Sequence, residues 1–98
     1  MAVKLVVMCP CPTDIEAFEK SMVLNMSMAM AKLAGKTKMV GTRILGSPQG
    51  TPPFHRIAEV HFPSMEDLEA CAGSEGGKQT IAHAFSISSG GAPTILVA

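Results

Sequence analysis

The side chains with most chemistry to offer are sulfur and imidazole, three cysteines and three histidines in 98 residues. Two of the thiols stand in Val6-Val7-Met8-Cys9-Pro10-Cys11-Pro12, where an apolar run meets a turn. A structural zinc site would need a second pair of ligands beside Cys9-Pro10-Cys11; no such motif is present, so no metal is expected. A disulfide between Cys9 and Cys11 would close a tight ring around Pro10, against the usual Cα separation. An odd cysteine count without framework spacing indicates reduced thiols. Cys71, between Ala70 and Ala72 on an amphipathic segment, reads as core, and Cys11 as an exposed turn thiol.

Cys9 keeps two readings. As an inert strand-end residue it is a small buried hydrophobe. As a nucleophile it needs a base, because a thiol with a pKa of about 8.5 is only slightly ionised at neutral pH. His83 is the first choice, since its helix should border the sheet, and His55 at the start of a strand is the second. His61 is the least suited, being placed by alternation on the opposite sheet face. Such a dyad would acylate at Cys9, relay the proton through histidine and hydrolyse the thioester with water. With no oxyanion hole visible, an activated aryl ester is the substrate that demands least of the site. The sequence has neither a G-x-S-x-G elbow nor a papain-like cysteine signature. Its paired glycines lack the lysine and the strand-turn-helix order of a phosphate loop.

These residues have to be positioned by a strand, helix, strand, strand, helix, strand succession. Ala2 to Cys9 is rich in β-branched residues and is ended by Pro10 and Pro12. Thr13-Asp14-Ile15-Glu16 has the spacing of a capping box and predicts a helix from about Asp14 to Ala34. Phe18, Met22, Met26, Ala29, Met30 and Leu33 recur along it at helical spacing. The methionines read as core or pocket lining rather than as a thioether copper site. Lys38 to Leu45 is a second strand, and Phe54 to Phe62 alternates as a third, with Ala58, Val60 and Phe62 on one face. Ser64-Met65-Glu66-Asp67 opens a helix to about Ala72; Lys78 to Ala84 is a short further piece after a glycine break, and Thr94 to Val97 is the last strand. The order predicts one α+β domain over residues 1–98: a ferredoxin-like βαββαβ layer with a four-stranded antiparallel sheet. One sheet face is left open, and Ile57 and His61 on it imply a homodimer. Glu59 is expected to pair with Arg56, Arg43 or the partner subunit.

Lys plus Arg equals Asp plus Glu, eight of each, so no long-range field favours nucleic acid or an anionic membrane. The apolar stretches are broken by Asn25, Ser27 and Lys32, and the start has no signal-peptide pattern, which implies a cytoplasmic protein.

Five segments carry a resemblance to a known family: Asp14-Ile15-Glu16-Ala17-Phe18-Glu19-Lys20, Ala31-Lys32-Leu33-Ala34-Gly35, Arg56 to Glu66, Ser74-Glu75-Gly76-Gly77, and Gly90-Gly91. Together they resemble the EthD family. That resemblance implies a dimeric α+β barrel with a small-molecule cavity between the sheet and the first helix. It also implies an apolar or aromatic ligand and no cofactor. Several positions depart from the family pattern. Cys9 stands where a tyrosine is usual; Ser21, Met22, Met26 and Met28 replace an aromatic-rich helix start and a histidine; His55 replaces an aromatic. Met26 cannot move a proton, so the family's usual catalytic inference does not carry over. A re-lined cavity of Ser21, Met22, Met26, Met30 and Phe85 is the expected ligand site. Two functions follow: a Cys9-His83 or Cys9-His55 esterase engineered into the barrel, or a natural EthD-like binder of a small apolar ligand, or cofactor-independent oxygenase.

Overall fold

The computed structural model describes residues 2–98. Its elements are β1 (Val3–Pro10), α1 (Ile15–Lys32), β2 (Lys38–Arg43), β3 (Phe54–Phe62), α2 (Met65–Gly73), α3 (Glu75–Ser86) and β4 (Thr94–Val97). The strands form one antiparallel sheet in the order β2-β3-β1-β4, the ferredoxin-like arrangement the element order predicts. The sheet is open: β2 and β4 are its edges and do not pair with each other. The barrel that the resemblance implied therefore does not form, and the four strands remain a two-edged layer.

Alternation along the two central strands decides what each face carries. Val3, Leu5, Val7 and Cys9 on β1 meet Phe62, Val60, Ala58 and Arg56 on β3 in register, all on the helix-covered side. Phe62, Val60, Leu33, Ala29, Leu68 and Cys71 are buried together in one apolar cluster, and Cys9, Phe18 and Met22 in a second. At 2 % exposure, Phe62 gives up nearly all its contact with water, worth about 1.5–3 kcal/mol.

α1 begins one residue later than the capping box suggested. Asp14, not Thr13, is the cap, its Oδ1 accepting the Ala17 amide at 3.0 Å; the Thr13 amide instead donates to Ser89 Oγ at 2.9 Å. The helix buries Phe18, Met22, Asn25 and Ala29, a spacing of four, three and four that keeps one stripe on the sheet. Met30, expected on that stripe, is 67 % exposed. Gly35, at φ +86°, supplies the left-handed residue that turns the chain towards β2. Ser64 caps α2 through the Asp67 amide, as its spacing indicates. α3 is longer than the glycines implied: Ser74 caps it through the Gly77 amide, and Gly76 and Gly77 lie inside its first turn.

Candidate functional site

Between the sheet and the helices lies a cavity of about 50 Å³ with an almost wholly apolar wall. Leu5, Val7 and Cys9 line it from β1, Ala58 and Val60 from β3, and Met22, Met26 and Ala29 from α1. Its polar groups come from Asn25 and Thr80. Along the flank of α1 runs a separate groove of about 250 Å³, bounded by Glu19, Met22, Val23, Met26, Ser27, Met30 and Arg56. Met22 and Met26 belong to both linings, so their side chains stand between the inner space and the outer one.

The two histidines expected to serve Cys9 are each engaged elsewhere, and the thiol itself is buried. Cys9 is 1 % exposed; burial pushes its thiol up, only partly opposed by the charge of Arg56, so it is a protonated thiol at neutral pH. Its Sγ has no hydrogen-bond partner among the described residues. His83 Nδ1 lies 2.9 Å from Asn25 Nδ2. An amide nitrogen only donates, so Nδ1 accepts and its lone pair is occupied. The other contact of that amide is the Thr80 carbonyl at 3.2 Å, which fixes Asn25 across α1 and α3. His55 Nε2 donates to Glu19 Oε1 at 3.0 Å, and its ring meets Phe18 edge to face at 5.5 Å.

Of the expected ligand residues, Met22 and Met26 line both spaces, and Met30 lines the outer groove. Ser21 is half-buried outside both linings, and Phe85 is exposed on α3. Cys71 is buried and Cys11 exposed, its thiol donating to the Pro52 carbonyl at 3.4 Å. All three cysteines are free, and no group of three metal-ligating side chains occurs among the described residues. Glu59 pairs with neither arginine; Lys4 Nζ donates to it at 3.0 Å from the neighbouring strand.

A charge cluster at the groove is the feature that sequence reasoning missed. Arg56 Nη2 donates to Glu19 Oε2 at 2.9 Å, His55 holds Oε1, and Arg43 Nε lies 3.7 Å from Oε1. A β-bulge assembles it. The register passes from Cys9 opposite Arg56 to Pro10 opposite Phe54, leaving His55 as the extra residue and re-aiming it. Consecutive residues His55 and Arg56 thus both reach Glu19 on α1. Partial burial pushes the Glu19 carboxyl up, but the His55 hydrogen bond with the charge and hydrogen bond of Arg56 carries it below the usual carboxylate range. The available signal was Glu19 itself, which shares a helical stripe with Met22, Met26 and Met30 and interrupts it with a charge.

The open antiparallel sheet, three covering helices and apolar interlayer cavity define a ferredoxin-like α+β protein with an apolar space between its layers. In particular, the chain is similar over its whole length to an EthD family protein from Bacillus halodurans, at 28% identity and a TM-score of 0.90, covering 100% of this chain and 97% of that one. The EthD resemblance read from the sequence thus holds in three dimensions as well. An EthD-like protein from Ralstonia eutropha shares the fold at 18% identity and a TM-score of 0.74, covering 99% of this chain and 89% of that one. So does a dimeric ferredoxin-like protein from Jannaschia, at 12% identity and a TM-score of 0.74, covering 100% and 98%. No protein-family model matches the chain, nor does any curated protein. Among the described residues, no helix is long and apolar enough to cross a membrane.

Proposed function

We propose that this protein binds a small apolar or aromatic molecule between the sheet and α1. The observation that carries this reading is the shared wall of Met22 and Met26. A cavity of about 50 Å³ is far below the roughly 300–1,000 Å³ of ordinary ligand sites. Joined to the outer groove, it approaches the lower end of that range. Methionine is the side chain best suited to such a wall, being unbranched, polarisable and able to repack at low cost. The ligand enters along the groove, displaces the two thioethers and lies against Val7, Ala58 and Val60.

Ester hydrolysis gains no support from this arrangement. Cys9 is desolvated and protonated, and the hydrogen bonds of His83 and His55 are spent on Asn25 and Glu19. Nothing here calls for a nucleophile installed by design. The three free cysteines accord with a reducing, cytoplasmic setting. We infer further that two copies associate through the uncovered sheet face, as the Jannaschia relative described as dimeric suggests.

Methyl-¹³C methionine NMR tests the ligand reading with N-phenyl-1-naphthylamine as the neutral aromatic probe. The Met22 and Met26 methyl signals are expected to shift saturably, while that of Met65, exposed on α2, stays in place. Titration that moves Met65 alone, or no methionine, would sink the reading.

A further inference from the structure

We propose that the natural ligand of the groove carries one anionic group, seated on Arg56 and Arg43, with its apolar body against Met22 and Met26. This rests on the small-molecule reading above and names the chemical class it takes. Charge at the groove is unequal. Among the described residues Glu19 is the single carboxylate paired with the guanidiniums of Arg56 and Arg43 and the His55 ring, so the two arginines alone leave the cluster one positive charge in excess. The whole chain balances eight cations against eight anions; the surplus is local to this groove.

The hydrogen-bonding capacity is unequal too. Arg56 spends Nη2 on Glu19, while its Nε is buried without a hydrogen-bond partner among the described residues. Arg43 stands off from Glu19 at 3.7 Å with its side chain half exposed. A guanidinium has five N–H donors in a fixed planar fork matched to carboxylate or sulfonate oxygens. Arg56 therefore offers donors that Glu19 does not use. Room for the ligand is the groove itself, which Met26 and Arg56 both line. A Cβ on Gly41 of β2 would lie 3.6 Å from Met26 Cε and 3.7 Å from Arg56 Nη1, so the missing side chain leaves a methyl-sized gap beside the methionine and the guanidinium. Charge at one end and thioether at the other select an amphipathic anion over a neutral hydrocarbon.

Two probes of one scaffold separate this inference from the reading beneath it: 1-anilinonaphthalene-8-sulfonate, and N-phenyl-1-naphthylamine, which lacks the sulfonate. The chain contains no Trp or Tyr, so probe fluorescence is read on a dark background. The sulfonate probe is expected to bind about tenfold more tightly at low salt, as befits a charged hydrogen bond. That affinity ratio should fall towards one in Arg56→Gln and in Arg43→Gln. Arg43 is the more exposed of the two, so its variant keeps the test decisive if Arg56→Gln does not fold. Equal affinities in the wild type, or a ratio unchanged in both variants, would overturn the anion while leaving small-molecule binding intact. Failure of both probes to bind would remove both readings.

Discussion

Glu19 shows how one side chain ties the fold to the site. Its carboxylate joins α1 to both β2 and β3 through Arg43, His55 and Arg56, and so fixes the helix flank that forms the groove. The linkage to pH has a definite sign. Its folded pKa lies below the ordinary value, so the unfolded chain takes up the proton first, and stability rises with pH across that interval. The contribution is present above the unfolded carboxylate pKa of about 4.3 and is lost as pH falls through the folded value. Glu19→Gln should therefore cost about 1 kcal/mol at pH 7, with the gap to the wild type closing towards pH 3. Urea midpoints at the two pH values measure this; a gap that stays constant would show that the charge plays no part.

At the scale of elements, local chemistry was legible and long-range aim was not. Phe54 to Phe62 read as a strand because alternation and β-branched residues agree there, and its bounds match the structure. Asp14 displaced Thr13 as the cap because Thr13 is drawn to Ser89 on a distant loop. The His55–Arg56 pair was hidden because a period-two reading assigns neighbours to opposite faces, and only the bulge at Cys9 and Pro10 reverses one of them. The glycines after α2 were read as a break, but packing asks for glycine there. A Cβ on Gly77 would fall on the Cys71 backbone carbonyl, whereas one on Gly73 meets nothing within 4 Å. Gly73→Ala is accordingly expected to be neutral or stabilising by up to about 1 kcal/mol through helix propensity. Gly77→Ala should lose about 1–3 kcal/mol, since a backbone oxygen cannot swing away. Thermal melts of the two variants test the contrast, and equal midpoints would refute it.

The whole molecule leaves one sheet face without a cover. On it, Val40, Glu59, Val6 and Leu96 form one row across the strands, with Thr42, Ile57, Met8 and Thr94 in the next. Above them, His61 stands between Lys38 and Lys4, its Nε2 buried without a hydrogen-bond partner among the described residues. Val6, Val40, Leu96, Met8 and Ile57 make most of the face apolar, Glu59 among them is paired with Lys4 at 3.0 Å, and the lysine end is charged, the pattern of an interface core with a polar rim. Alternation along β3 made this face legible in the sequence, but the closed barrel was not a consequence of it: a covered face needs only a second layer, and the strand edges here stay open. A lysine at the centre would bring an unpaired charge into the interface, and the desolvation cost far exceeds any packing it retains. Light scattering should therefore give the wild type twice the 10.2 kDa mass of one chain and Ile57→Lys the single-chain mass, with circular dichroism unchanged because residue 57 faces away from both buried clusters. A wild type that scatters as one chain at every concentration would leave the face to solvent and remove the homodimer, while the groove on the other side of the sheet would keep its own test.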